Sequence, residues 1–253
     1  MIIFFFCFFT FLIALFFTMI GLGGGLLYSP FLILYGVSLP LAVSTSLLIN
    51  GLAGLSASIA YMQKGMVNFR VSLPLAVGSM AGAPLGAQLI GVLPEKVVVG
   101  ILSAAMLFGA YRMASSPAQA DEDRSHTVRE IRVILCGGGL GFLIGILGAL
   151  LGIGGGIFMV PILIFVMKVS TRNAAATSTL ISASLSASGF LSHLILGNFE
   201  PRFTIPLAVA GILGGQIGSR IMIQKISGKT IRRIFAVLLS AMAIILIDKM
   251  IGE

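Results

Sequence analysis

Gly21-Leu22-Gly23-Gly24-Gly25-Leu26-Leu27-Tyr28-Ser29-Pro30 and Gly152-Ile153-Gly154-Gly155-Gly156-Ile157-Phe158-Met159-Val160-Pro161 are two versions of one phrase, G-x-G-G-G followed five residues later by proline. Each lies in an apolar stretch without charge: no Lys, Arg, Asp or Glu precedes Lys64, and none occurs from 133 to 167. Glycine clusters loosen a helix and leave N–H and C=O groups that lipid cannot satisfy. Such backbone is tolerated at membrane depth only where it is buried in protein or lines a polar cavity. Two interrupted helices in corresponding positions of two halves point to a transporter's binding site.

The rest of the chain repeats with the phrase. At a shift of 131 or 132 residues, Thr45-Ser46 falls on Thr177-Ser178, Gly65 on Gly197 and Arg70 on Arg202. Pro74-Leu75-Ala76-Val77 falls on Pro206-Leu207-Ala208-Val209, and Gly82 and Gly86 fall on Gly214 and Gly218. Apolar matches are cheap in such a chain; coincident Gly, Pro, Thr-Ser and Arg are not. The period is far too long for a solenoid and marks one duplication. The repeats are 1–114 and 131–253, and the polar segment 115–130, with Ser115-Ser116-Pro117 and Asp121-Glu122-Asp123, links them.

Of the 253 residues 58% are apolar and 9% charged, so a soluble domain of any size is excluded. A span needs about 20 apolar residues, or fewer where flanking charges snorkel. Each half reads as a broken apolar segment (2–37, 132–168) followed by three spans: 41–63, 71–93 and 96–112, then 174–196, 203–220 and 231–249. Short helices are expected after the glycines, at 26–36 and 157–167. If each broken segment crosses once, the 16 Lys and Arg divide evenly between the two sides. If it doubles back, each half crosses an odd number of times and the halves are inverted. One side then carries every basic residue except Lys96, Arg202 and Lys249. Positive charge marks the cytoplasmic side. The expected fold is therefore an all-α polytopic membrane protein of two inverted-topology repeats, each a Gly-broken helical hairpin plus three transmembrane helices. It sits in the cell (inner, cytoplasmic) membrane with the linker inside and both termini outside. The N-terminus lacks the basic flank and small-x-small site of a signal peptide and is expected to be retained.

Behind each glycine cluster a helix begins, with unpaired N–H groups and the positive end of its dipole. Glycine lets a ligand approach that backbone, which makes an anion seat at Gly23, Gly24 and Gly25 and another at Gly154, Gly155 and Gly156. The alternative is tight helix packing, the ordinary use of small residues in membranes and the reading preferred for Gly78, Gly82, Gly86, Gly211, Gly214, Gly215 and Gly218. Thr45, Ser46, Thr177 and Ser178 open the next spans with uncharged donors, and Asn50, Ser182 and Ser184 follow one turn on. Their competing use is a bond back to the helix carbonyls. Gln88 and Gln216 are further substrate-binding candidates, and His193 is a candidate for proton coupling. Arg70 and Arg202 read as interface anchors.

No Asp or Glu occupies the middle of a span, where cation carriers commonly place one. A neutral site rich in donors suits an anion. Cys7 and Cys136, 129 residues apart in apolar runs, read as small hydrophobes, not as a disulfide or metal ligands. The net charge of +8 lies between spans and indicates no nucleic acid. No cofactor and no metal are expected, and no catalytic residue: Ser186-Ala187-Ser188-Gly189 lacks the first glycine of an intramembrane serine protease, with His193 on the same helix. The expected partners are a small anion and the bilayer, with a homodimer permitted.

The doubled G-x-G-G-G with its proline, then Thr-Ser at the start of the next span, resembles the sulfite exporter TauE/SafE family, also called the toluene-sulfonate uptake permease family. The resemblance covers essentially the whole chain. It implies a permease for sulfur-containing or small organic anions: sulfite, sulfonates, sulfoacetate and relatives. A membrane assembly factor, or a channel-like anion pathway without coupled transport, is the alternative.

Overall fold

A computed structural model describes residues 2–20, 25–115, 130–167, 169–223, 237 and 239–248. They are helical almost throughout and include no strand. The helices are α1 (Ile2–Ile20), α2 (Gly25–Leu34), α3 (Leu39–Gln63), α4 (Phe69–Leu89), α5 (Glu95–Ser115), α6 (Glu130–Leu151), α7 (Gly156–Pro161), α8 (Thr171–Ile195), α9 (Pro201–Ile223) and α10 (Leu239–Asp248). Five of the six spans read from the sequence coincide with α3, α4, α5, α8 and α9; the sixth, 231–249, is described only at 237 and 239–248. Among the described residues α3, α8 and α9 are long and apolar enough to cross a membrane. The linker lies outside the described residues, apart from the end of α5 and the start of α6.

The helix ends follow from local chemistry. Gly65 and Gly197, at equivalent positions, take φ of 64° and 78° and end α3 and α8. Beyond them the Met66 N–H donates to the Tyr61 carbonyl and the Asn198 N–H to the His193 carbonyl, so both helices end in the same wrapped turn. The expected helix over 157–167 is α7 only to Pro161, and then widens into a π-helical run, Ile162–Val166. Proline has no N–H to give and its ring presses on the preceding turn. The backbone ladder therefore shifts, and the Met167 N–H reaches the Ile162 carbonyl at 3.0 Å.

Packing pairs recur in both halves. α4 lies on α6 and α9 on α1; α3 lies on α9 and α8 on α4; α2 lies on α3 and α7 on α8. The register repeats as well. Gly82 and Gly86 face the carbonyls of Phe142 and Ile146, while Gly214 and Gly218 face those of Phe11 and Leu15. A Cβ at any of the four would overlap a backbone oxygen, so glycine sets how closely these helices approach. Opposite these glycines run exposed apolar stripes: Leu73, Val77 and Leu85 on α4, and Ile205, Val209 and Ile217 on α9. They are surfaces for lipid tails.

Contact order along each pair gives direction. From α3 to α9 the contacts Thr45–Thr204, Ile49–Gly211 and Ala53–Gly215 rise together, so these helices are parallel. By the same test α8 is parallel to α4 (Asn68–Thr177, Met80–Ser188). The α4–α6 and α9–α1 registers given above are parallel too. From α3 to α8 the contacts Leu47–Gly189, Asn50–Ser186 and Gly54–Ala183 run in opposite senses, so that pair is antiparallel. Hence α1, α3 and α9 point one way and α4, α6 and α8 the other. The chain leaves α1 and enters α3 in the same direction, so it must turn back between them, through α2.

Candidate functional site

The two glycine phrases meet inside the bundle. Gly25, the first residue of α2, lies so close to the carbonyls of Gly152 and Ile153 that a side chain there would overlap them. Gly152, Gly154 and Gly155 take φ of 71°, 71° and 76°, a left-handed run that costs other residues strain. The run folds the chain back on the end of α6, where the N–H groups of Ile153 and Gly154 converge on the Gly148 carbonyl at 3.0 and 3.4 Å. It also launches α7, whose Phe158 and Met159 N–H groups both donate to the Gly155 carbonyl. The earlier donors of that first turn have no partner within the helix. Gly23 and Gly24 lie outside the described residues.

α3 closes the site from one side. The Ser46 hydroxyl donates to the Gly152 carbonyl at 2.6 Å, with the Gly25 carbonyl at 3.4 Å, so one side chain reaches both the second glycine turn and the start of α2. One turn of helix further on, the Asn50 amide lies against Gly154, where a Cβ would collide with it. Its Nδ2 donates to Ser186 Oγ of α8 at 2.7 Å, and its buried Oδ1 has no partner. Ser29, in the first turns of α2, packs its hydroxyl on Gly152 and is likewise buried and unpartnered. Tyr28, Ser44 and Ser182 also bury side-chain oxygens without a hydrogen bond. Such groups are costly to leave unpaired. No charged side chain is buried among the described residues.

Other candidates have protein partners. The Thr45 and Thr204 hydroxyls pair at 3.0 Å, and the Asn68 N–H donates to Thr177 Oγ1 at 3.0 Å, at the start of α4. Ser178 donates to the Ala175 carbonyl at 3.0 Å. Gln216 Oε1 accepts from Ser56 at 2.9 Å, and Gln88 is exposed on α4. His193 is fully buried at the end of α8, with Nδ1 3.5 Å from the Asn198 side-chain amide and Nε2 without a partner. Thus Gly25, Ser46, Asn50 and Gly154 come together, while Thr45, Thr177, Gln216 and His193 bond elsewhere and Gln88 faces outward. The sequence reading passed over Ser29, Thr204 and Ser186. Ser29 carried a usable signal: it is one of two hydroxyl-bearing residues in an apolar helix that begins at a glycine cluster.

The family description "Sulfite exporter TauE/SafE" matches residues 6–246. The probable membrane transporter protein YunE of Bacillus subtilis is 28% identical over 245 residues, 88% of this chain and 89% of the relative. The probable membrane transporter protein ORF9 of a Sinorhizobium species is 28% identical over 233 residues, 92% of this chain and 87% of its own. The probable membrane transporter protein MJ0441 of Methanocaldococcus jannaschii is 26% identical over 263 residues, covering 94% and 92%. No solved structure matches the chain. A match over nearly the whole length, on a helical bundle built around the doubled glycine phrase, places the chain in the sulfite exporter TauE/SafE family.

Proposed function

We propose that this protein carries small anions across the cell membrane, with sulfite, sulfonates and sulfoacetate as the chemical class. In this reading 1–114 and 131–253 are inverted-topology repeats joined by a cytoplasmic linker at 115–130, with both termini outside. The opposed directions of the repeat counterparts, α1 against α6, α3 against α8 and α4 against α9, support it, as does the charge distribution. Each glycine hairpin then enters from its own face, and the two apices share the interior.

The observation that carries the proposal is the contact of Gly25, at the start of α2, with the Gly152–Gly155 turn beside the buried, unpartnered Ser29 hydroxyl and the buried Asn50 amide, with no charged side chain buried among the described residues. An oxyanion there would take N–H donors from the first turns of α2 and α7, the hydroxyl of Ser29, and the second N–H of Asn50 Nδ2, the first being given to Ser186. Hydrogen bonds to a charged group net about 1.5–3 kcal/mol each, enough for modest affinity and compatible with release. Ser46, already bonded to the Gly152 carbonyl, shapes the seat rather than fills it. Moving one hairpin against Ser46 would expose the seat to one face at a time.

The test is flux into liposomes holding the purified full chain, with sulfite, toluene-sulfonate and choline as probes. Saturable, mutually competitive entry of the two anions, with no choline entry, is expected. Absence of saturable anion entry would overturn the proposal and favour an assembly role; saturable choline entry would overturn the neutral anion seat.

A further inference from the structure

We propose that the cleft between the α3–α4 loop and the start of α8 is a headgroup site for an anionic phospholipid, with Arg70 on the phosphate and an acyl chain along α4. The inference goes beyond the transport reading and takes from it only the leaflet, the cytoplasmic one.

The cleft has a volume of about 330 Å³, within the range of small-ligand pockets. Its walls are residues 65–70, from the loop between α3 and α4, and Asn173, from the first turn of α8. Local structure holds it in shape. Gly65, at φ 64°, turns the chain out of α3, and the Met66 N–H returns to the Tyr61 carbonyl at 3.1 Å. Met66 and Val67 are buried with Ala57, Tyr61 and Ala176 in a small cluster apart from the main core. The Asn68 N–H donates to Thr177 Oγ1 at 3.0 Å and ties the loop to α8. The polar side chains of the walls, Asn68, Arg70 and Asn173, are exposed, and Asn68 gives no side-chain cap to α4.

Charge and apolar surface together select the occupant. Among the described residues no Asp or Glu lines the cleft, and the sequence has none in 1–94 or 131–199. Arg70 therefore offers a guanidinium without a carboxylate, and its fork suits a phosphate. Asn68 and Asn173 add amide groups for the hydroxyls of a glycerol headgroup. Phe69, beside Arg70, is exposed and heads the face of α4 that continues through Leu73 and Val77 to Met80. A free anion has no use for that stripe. A lipid has, because its tail lies along α4 while its phosphate reaches Arg70. The orientation proposed above sets this end of α4, with Lys64, at the cytoplasmic leaflet, where anionic lipids attract basic residues.

The duplication provides a comparison within the chain. At the repeat shift Arg70 falls on Arg202, Asn68 on Glu200, Asn173 on Leu41 and Lys64 on Leu196. The second copy keeps the arginine but sets a carboxylate two residues from it and an apolar chain in place of an amide. That copy is a poor seat for a phosphate.

Native mass spectrometry of the full chain, released from detergent with equal phosphatidylglycerol and phosphatidylcholine, reads retention directly. The wild type should hold one phosphatidylglycerol about tenfold more strongly than phosphatidylcholine, the lower end for a hydrogen bond to a charged group. Asn68→Glu, which copies Glu200, and Arg70→Gln should each bring the two lipids level. Both positions are exposed, so neither change should disturb the fold. Arg202→Gln should leave the preference intact, and millimolar inorganic phosphate should not displace the lipid. Equal retention by the wild type, a preference that survives Asn68→Glu or Arg70→Gln, or one lost in Arg202→Gln would each overturn the proposal. Displacement by phosphate would overturn it too and make the cleft a vestibule for free anions. Because retention is read without transport, a failed sulfite flux would strike the transport reading alone.

Discussion

Gly154→Ala tests the site at its tightest point, and the structure supplies the size of the effect. Gly154 has φ of 71°, which costs a non-glycine residue about 1–2 kcal/mol. A methyl there also lands on Asn50 Nδ2 and close to Ser186 Oγ, the two ends of a buried 2.7 Å hydrogen bond. Separating them adds about 1–3 kcal/mol, for a total of about 2–5 kcal/mol. Gly155→Ala meets similar strain at φ 76° but presses on the Ile144 branch methyl and the end of Leu185 without parting a hydrogen bond, so it should cost about 1–3 kcal/mol, less than Gly154→Ala. Gly139→Ala, with nothing within 4 Å of the new carbon, should fall within about 1 kcal/mol of the wild type. Unfolding in mixed micelles ranks the three. Asn50→Ala removes the collision, so its double variant with Gly154→Ala should recover part of the loss as a coupling of about 1–3 kcal/mol. If Gly154→Ala is no worse than Gly139→Ala, or the cycle shows no coupling, Asn50 does not rest on this turn and the site is misdrawn.

Ser46→Ala removes the clamp on Gly152 and should cost about 1–3 kcal/mol, with faster hydrogen exchange at 152–157; unchanged exchange would remove Ser46 from the site. Gly82→Val and Gly214→Val each drive a side chain into a facing carbonyl, so both should lose about 3 kcal/mol or more, or fail to give monodisperse protein. Gly138→Val, which meets nothing within 4 Å, is the matched control, and a tolerant member of the pair would break the repeat equivalence. For topology, Ser116→Cys and Gly252→Cys in a chain lacking Cys7 and Cys136 should respond oppositely to an impermeant thiol reagent on intact cells. Labelling of Gly252→Cys and sparing of Ser116→Cys is the expected pattern, and the reverse would refute the assigned orientation.

How far the sequence could be read depends on which physical constraint each residue answers to. Glycine answers to the backbone, so the break at 152–156 was visible in one dimension, whereas the end of α7 at Pro161 was not, the reading having run that helix on to 167. Polar side chains answer to neighbours, and in a bundle meant for lipid their direction is hidden. Helices here are apolar on the lipid face as well as the packed face, so periodicity gives no inward direction. Gln88 and Gln216 looked alike for that reason, yet one is exposed and the other bonds Ser56. Ser46 was legible as a donor near the site. Its partner was not, because that carbonyl belongs to the other half, 106 residues away.

The duplication matters most where it is imperfect. Residues that set helix distance are kept in both halves, as the glycines of α4 and α9 show, and so are the residues that end α3 and α8. The two residues packed on the second turn have unlike counterparts: the repeat sets Ser182 opposite Asn50 and Val160 opposite Ser29. Two identical hairpins around one seat would hold a ligand with equal energy from either face. A ligand shifts an equilibrium between two states only by its differential affinity for them. Divergence at the turn-facing positions, on a frame whose packing is conserved between halves, supplies that difference without disturbing how the helices fit. Exchanging Asn50 and Ser182 therefore moves the amide to the opposite hairpin while leaving composition unchanged. In proteoliposomes of known orientation, Asn50→Ser with Ser182→Asn should invert the ratio of sulfite half-saturation measured from the two faces. A ratio that stays the same would place the asymmetry of the carrier outside the glycine seat.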